Sequence, residues 1–123
     1  MKVLLSIKPE YAESILQGNK KFEFRKTIFR NKNVKTVVIY ATMPIGKVIG
    51  EFDIDEIISS EPSALWDVTK KYAGISKCFF DEYFSKKSTA FAIAVKNPRR
   101  YKDPVLLTDI VPGAVPPQSF RYI

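Results

Sequence analysis

Gly18-Asn19-Lys20-Lys21-Phe22-Glu23-Phe24-Arg25-Lys26 is the stretch on which the reading of this chain turns, because a helix ends in it and a strand with two contrasting faces begins. Side chains alternate across a strand, so Phe22 and Phe24 are expected to face a core while Lys21, Glu23 and Arg25 share an opposite, exposed face. One carboxylate held between cations suits two arrangements. It is either a salt-bridged surface or a site that binds an anion and keeps one acidic group for hydrogen bonding or proton transfer.

Upstream, residues 2–8 read as a strand with Val3, Leu5 and Ile7 on one face and Leu4, Ser6 and Lys8 on the other. Pro9 suits the first position of a helix, and Glu10 and Glu13 favour its N-terminal end. Tyr11, Ala12, Ile15 and Leu16 give that helix an apolar face, and Gly18 is its expected C-terminal cap. This order places Lys8, the start of the helix and the Lys20–Lys26 strand close together.

Downstream, a basic connection over residues 27–33 leads to a largely buried strand over 35–41 and a long strand over 47–58, with Gly50 at an expected bend. Asp53, Asp55 and Glu56 at its acidic end read as a solvated edge rather than a metal cluster, since Glu56 faces away from the other two. Ser60 and Pro62 are expected to open a helix running to about Tyr72, with Leu65, Val68 and Tyr72 inward and Trp66 beside them, either packing or stacking on a base. Gly74 breaks that helix and Ser76 can cap the next, whose Phe79, Phe80, Tyr83 and Phe84 read as core. Residues 88–96 form a strand with Phe91, Ile93 and Val95 on one face and Ala90, Ala92 and Ala94 on the other. The alanine row admits close approach of another backbone or a ligand, tight packing being the commoner reason. The last 27 residues carry five of the eight prolines. They are expected to be irregular, with one short strand near Val105–Ile110 and an extended, docked Pro116–Ile123.

The 123 residues fit one domain with a core of its own, spanning 1–123. Twenty basic against 13 acidic residues give a net charge of +7, which favours anionic partners such as nucleic acid. The positive charge is concentrated in residues 1–50, whereas residues 51–70 are acidic. The absence of histidine excludes a Ser-His-Asp triad, a Cys-His dyad and every histidine metal site. Cys78, the single cysteine, lies in an apolar helical pattern and is expected to be a buried thiol in a reducing compartment. Val3-Leu4-Leu5 is too short for a signal-peptide core and no stretch has the length of a membrane span. A soluble, cytoplasmic protein without a membrane partner is therefore expected.

Gly18, Lys20, Glu23 and Arg25 spell G-x-K-x-x-E-x-R just after a helix, and this set resembles the signature of the ASCH family. Ser6-Ile7-Lys8-Pro9 with Tyr11, the Trp66 helix, Tyr72-Ala73-Gly74-Ile75-Ser76 and Pro117-Gln118-Ser119-Phe120-Arg121-Tyr122 extend the resemblance over most of the chain, to small stand-alone prokaryotic and phage members. The resemblance implies an α+β fold: a PUA-like small β-barrel of about five to six strands with two to three flanking helices. It also implies binding of RNA or a nucleotide-like ligand in a cleft between barrel and helices; no cofactor and no metal are expected. Ser6 would line that cleft, and Lys8, Lys20, Arg25 and Lys26 would contact phosphates. Glu23 would accept hydrogen bonds from a base, and Tyr11 or Trp66 would stack on one.

A second branch of the family, resembling a minimal amidohydrolase for acetylated cytidine, uses a lysine, a threonine and a glutamate. Lys20 matches the lysine, but Glu23 stands in place of the threonine, and Ala73-Gly74-Ile75 occupies the region of the glutamate. The alternative to a binding module is therefore a small hydrolase acting on a modified nucleoside or on RNA through Lys20 and Glu23. A third class, a partner-binding adaptor, would use the proline-rich tail and the aromatic helices.

Overall fold

In the computed structural model, which describes residues 1–123, six strands join in one sheet. They are β1 (Lys2–Ile7), β2 (Phe22–Arg25), β3 (Thr36–Ala41), β4 (Lys47–Ser60), β5 (Ala90–Val105) and β6 (Arg121–Tyr122), in the order β2-β5-β4-β3-β1-β6. β1 runs parallel to β3, a pairing that needs a crossover, and the helix α1 (Pro9–Leu16) together with β2 lies in that crossover. The other neighbours are antiparallel.

The sheet is rolled. Four strand spacings separate β2 from β1 in the sheet order, which would be roughly 19 Å if it were flat. Yet Arg25 on β2 donates to the backbone oxygen of Ser6 on β1 at 3.3 Å and to that of Ser119, just before β6, at 2.6 Å. Phe29 and Phe120 close the same gap with ring centroids 5.9 Å apart. Bulges supply the curvature: the β3–β4 register slips between Ile39 and Tyr40, and the β4–β5 register slips at three places. Gly50 lies at one of these slips, where a Cβ would stand 2.6 Å from the Arg99 carbonyl oxygen and 2.9 Å from Leu16 Cδ2. Its missing side chain lets β4 bend against both β5 and α1, as expected.

Three cores result. Val3, Leu5, Ile7, Val37, Ile39, Phe52 and Ile93 fill the barrel, plugged by Ala12 and Ile15 of α1. Outside it, α2 (Pro62–Thr69) and α3 (Lys77–Tyr83) pack Leu65, Phe80 and Phe84 onto Phe24, Ala90 and Ala92. The alanine row is thus a packing surface. Leu4, Val38, Tyr40 and Val48 form the third core, under Leu107 of the short α4 (Leu107–Ile110). Burial of each large apolar side chain contributes about 1.5–3 kcal/mol. This is an α+β, PUA-like barrel with flanking helices.

Several local expectations are corrected. β4 runs through Ser60, so Glu61 takes the N-cap position of α2 without a side-chain capping bond, and the helix ends at Thr69 in a 3₁₀ turn, Lys70–Tyr72. Its inward pair is Leu65 and Thr69, whose hydroxyl donates to the Leu65 carbonyl at 2.8 Å, and Val68 and Tyr72 are exposed. The acidic residues of β4 are on or near the surface, but β4 is a central strand, not an edge. β5 continues to Val105 because Pro98 and Pro104, which have no N–H to donate, fall where its register with β4 slips. The strand expected near Val105–Ile110 is helical turn α4. Cys78 is exposed, because α3 turns Phe80 and Phe84, four residues apart, inward and Cys78 away. The tail is extended and docked, with Arg121 and Tyr122 paired to Leu4 and Val3. No helix is long and apolar enough to cross a membrane.

Candidate functional site

The end of α1 delivers the site's lysine inward. Gly18, at φ +85, turns the chain back, and the amides of Asn19 and Lys20 both donate to the Ser14 carbonyl. β2 then follows with both faces covered, which corrects the expected exposed ionic row. Phe24 lies opposite Ala92 and faces the helical core, whereas Glu23 and Arg25 lie opposite Ile93 and Phe91 and face the barrel side at its seam. Lys20 is 1% exposed, Glu23 6%, and Arg25 half-buried. Lys21 alone of the row faces solvent, with its Nζ 4.3 Å from the centre of the Tyr72 ring.

These groups converge on a cleft of about 210 Å³. Ser6 and Lys8 enter from the end of β1, Tyr11 from α1, Lys20, Glu23 and Arg25 from the β2 stretch, and Phe79 and Tyr83 from α3. Lys20 Nζ donates to the Ala73 carbonyl at 2.6 Å and lies 4.8 Å and 5.5 Å from the ring centres of Phe24 and Tyr11. It forms no salt bridge. The stem of Lys20 rests on Gly74, at φ +69, where a Cβ would stand only 2.5–2.8 Å from the lysine's Cγ, Cβ and Cδ. A residue that reads as a helix breaker is therefore also the surface against which the buried lysine packs.

Burial lowers the Lys20 pKa to about 8, with the Glu23 charge opposing the shift. Burial raises the Glu23 pKa, against the opposing charges of Arg25 and Lys20 and the Arg25 hydrogen bond. Arg25 Nη1 donates to Glu23 Oε2 at 3.1 Å while the same guanidinium holds the Ser6 and Ser119 carbonyls. Arg25 was expected on phosphate; in the structure it stitches the seam and orients Glu23. The Ser6 hydroxyl likewise turns to the tail, donating to the Pro117 carbonyl at 2.7 Å.

Six of the eight residues expected at the site line this cleft: Ser6, Lys8, Tyr11, Lys20, Glu23 and Arg25. Lys26 lies outside the wall, its Nζ 4.7 Å from the Tyr83 ring centre, and Trp66 packs against Phe80 at 5.0 Å in the helical core. Phe79 and Tyr83 were read as core and instead form part of the wall. Spacing held the clue: Phe79 and Tyr83 form one i,i+4 stripe and Phe80 and Phe84 another, rotated by about 100° on a helix.

Chemically, the cleft sets an ammonium without a salt bridge, its pKa lowered to about 8, close to a carboxyl displaced towards its protonated form. That combination suits general acid–base work. A more open depression of about 570 Å³ beside the β2–β3 connection mixes exposed Arg30, Lys32 and Lys35 with exposed Asp55 and Glu56 and contains no buried charge. No group of three or more Cys, Asp or Glu side chains is placed to hold a metal ion.

The ASCH domain family model matches residues 5–99. The ASCH domain-containing ribonuclease of Zymomonas mobilis is 31% identical over 122 residues, covering 98% of this chain and 82% of that protein. The crystal structure of ASCH from Zymomonas mobilis aligns with a TM-score of 0.92 at 28% identity, over 99% of this chain and 87% of that one. The large ribosomal subunit protein uL22 of Ureaplasma parvum is 32% identical over 124 residues, of which this chain spans 39% of the length. Matched across its barrel, its helices and the Gly18–Arg25 stretch that builds the cleft, the chain belongs to the ASCH domain family.

Proposed function

We propose that this protein acts in RNA metabolism, taking one unpaired nucleotide of RNA into the Lys20–Glu23 cleft and cleaving the adjoining phosphodiester bond. The observation that carries this reading is the burial of Lys20 and Glu23 in one cleft, each shifted towards its neutral form. At about 210 Å³ the cleft is smaller than the roughly 300–1,000 Å³ of drug-sized sites, which suits one nucleotide and excludes a duplex. The ribonuclease description of the Zymomonas mobilis relative supports the substrate class.

In this reading Glu23 is the base. Held by Arg25, its carboxylate takes the proton of a ribose 2′-hydroxyl, whose oxygen then attacks phosphorus. Lys20, charged at neutral pH but with its pKa lowered to about 8, steadies the phosphate oxygens and gives its proton to the departing 5′-oxygen more readily than an ordinary lysine. The products are a 2′,3′-cyclic phosphate and a 5′-hydroxyl, and the proton gained by Glu23 balances the one lost by Lys20. The segment that an acetylcytidine amidohydrolase would need for its glutamate instead gives Lys20 a carbonyl from Ala73 and a bare face at Gly74.

One observation favours a second reading, RNA binding without cleavage: the Lys20 ammonium already has a hydrogen-bond acceptor and two aromatic neighbours, an arrangement that also holds a fixed cation for a phosphate. A labelled single-stranded RNA and its 2′-deoxy counterpart, incubated with wild type, Lys20→Met and Glu23→Gln and resolved on a native gel for binding and a denaturing gel for cleavage, separate the two readings. Cleavage of the RNA alone, lost in both variants, is expected. Wild type that binds and leaves the strand whole establishes the second reading, and wild type that does neither overturns both.

A further inference from the structure

We infer that Phe79 and Tyr83 form a stacking platform for the bases of single-stranded RNA leading into the cleft, with Lys8 and Lys26 as its phosphate contacts. This rests on the RNA reading of the Lys20–Glu23 cleft. The two residues lie four apart on α3, with ring centroids 6.2 Å apart and planes within 10°, so they present one apolar strip in the cleft wall. Phe80 and Phe84, the other aromatic stripe of the helix, are almost wholly buried. The platform is held in place: the Tyr83 hydroxyl donates to the Phe24 carbonyl at 3.4 Å, and Tyr11 meets Phe79 edge-on at 5.9 Å. Rings fixed in this way lose little freedom when a base stacks on them.

A cation lies near each ring. Lys8 Nζ is 5.5 Å from the Phe79 centroid and Lys26 Nζ 4.7 Å from that of Tyr83, and neither lysine has a carboxylate partner. They come from different segments, the end of β1 and the end of β2. A nucleotide carries both groups that such a pair accepts, a flat base for the ring and a phosphate for the ammonium, so one ligand replaces both contacts of the free protein. An apolar ligand would strand the lysines, and a free phosphate would leave the rings bare. Two such pairs side by side suit successive nucleotides of one strand.

The test is fluorescence anisotropy with a labelled eight-residue oligouridylate, its 2′-oxygens methylated so that the proposed cleavage cannot cut it, over a range of salt. The Phe79→Leu/Tyr83→Leu pair is expected to bind about tenfold or more weaker, with an unchanged salt slope, because no charge is lost. Lys8→Gln/Lys26→Gln is expected to flatten the slope by about 0.7 per lysine. A second arm needs no variant: wild type should bind a strand that keeps one base for the cleft and is abasic at its other positions, with the same phosphates, as weakly as the leucine pair binds the normal strand. If the leucine pair does not fold, the abasic arm decides. Equal binding by the folded leucine pair, or equal binding of the abasic strand, overturns the platform and leaves the cleft reading standing. Wild type that binds no RNA overturns both.

Discussion

Two ionic clusters with contacts of nearly equal length behave in opposite ways in this protein. On the open face of β4 and β5, Arg99 Nη2 lies 2.9 Å from Asp53 Oδ1 and 3.2 Å from Glu51 Oε2, with Asn97 and Thr36 also bonded to Asp53. There the hydrogen bond from Arg99 holds the Asp53 pKa below its usual value, and the same bond holds that of Arg99 above its own. At the seam of the barrel, Arg25 lies 3.1 Å from Glu23, yet the Glu23 pKa is raised, and that of neighbouring Lys20 is lowered. The difference is solvent. In water the partner dominates and both groups stay charged; in the cleft the loss of hydration outweighs the opposite charge, and Glu23 and Lys20 are pushed towards neutrality. A salt bridge in a list of contacts therefore says little about chemistry until its burial is known.

The sharpest way to break this contrast is by activity. For the cleavage proposed above, Glu23→Gln should lower the rate on RNA by about 100-fold or more, the usual contribution of a general base, whereas Glu51→Gln should change it less than about twofold. Initial rates on a labelled single-stranded RNA measure both, and equal losses would remove the distinction between the two clusters.

Stability against pH comes next. A lysine whose folded pKa lies below its unfolded value is more protonated in the unfolded chain between about pH 8 and 10.5, so unfolding takes up protons there and stability rises with pH. Wild type should gain up to roughly 3 kcal/mol relative to Lys20→Met across that window, measured by urea unfolding at successive pH values. Parallel profiles would show that Lys20 is not desolvated.

Gly74→Ala sharpens the same point without touching a charge. The new methyl meets the lysine stem at a positive φ, and a cost of about 2 kcal/mol is expected in thermal or urea unfolding. The displaced lysine should also regain solvent, which moves the Lys20-dependent rise in stability to higher pH.

The smallest effect belongs to the surface. Arg99→Gln should cost under about 1 kcal/mol, and the difference should shrink in high salt, because exposed pairs are weak and screened. A cost matching that of Gly74→Ala would mean that the open lattice is a structural keystone.

Much of this was legible from residue order. Pro9 and Gly18 bracket α1, Ser76 caps α3 through a 3.1 Å bond to the Phe79 amide, and Gly50 marks the bend of β4. Each is a local rule of backbone geometry, and each holds in the structure. The errors about which way side chains face have one cause. Lys21, Glu23 and Arg25 were placed on an exposed face because alternation says which side chains share a side, not what covers that side. Val68, Tyr72 and Cys78 were turned the wrong way because rotation about a helix axis is set by what the helix packs on, and Phe79 and Tyr83 were read as core for the same reason.

The sequence by itself determined the element order and the family motif Gly18-x-Lys20-x-x-Glu23-x-Arg25, since these depend on neighbours within a few residues. Only the tertiary structure decided that Glu23 and Lys20 are dry, that Arg25 binds the tail, and that the carbonyl of Ala73 meets the lysine. Those contacts join residues 53 and 94 positions apart, and desolvation is a property of everything packed around a group rather than of the group itself.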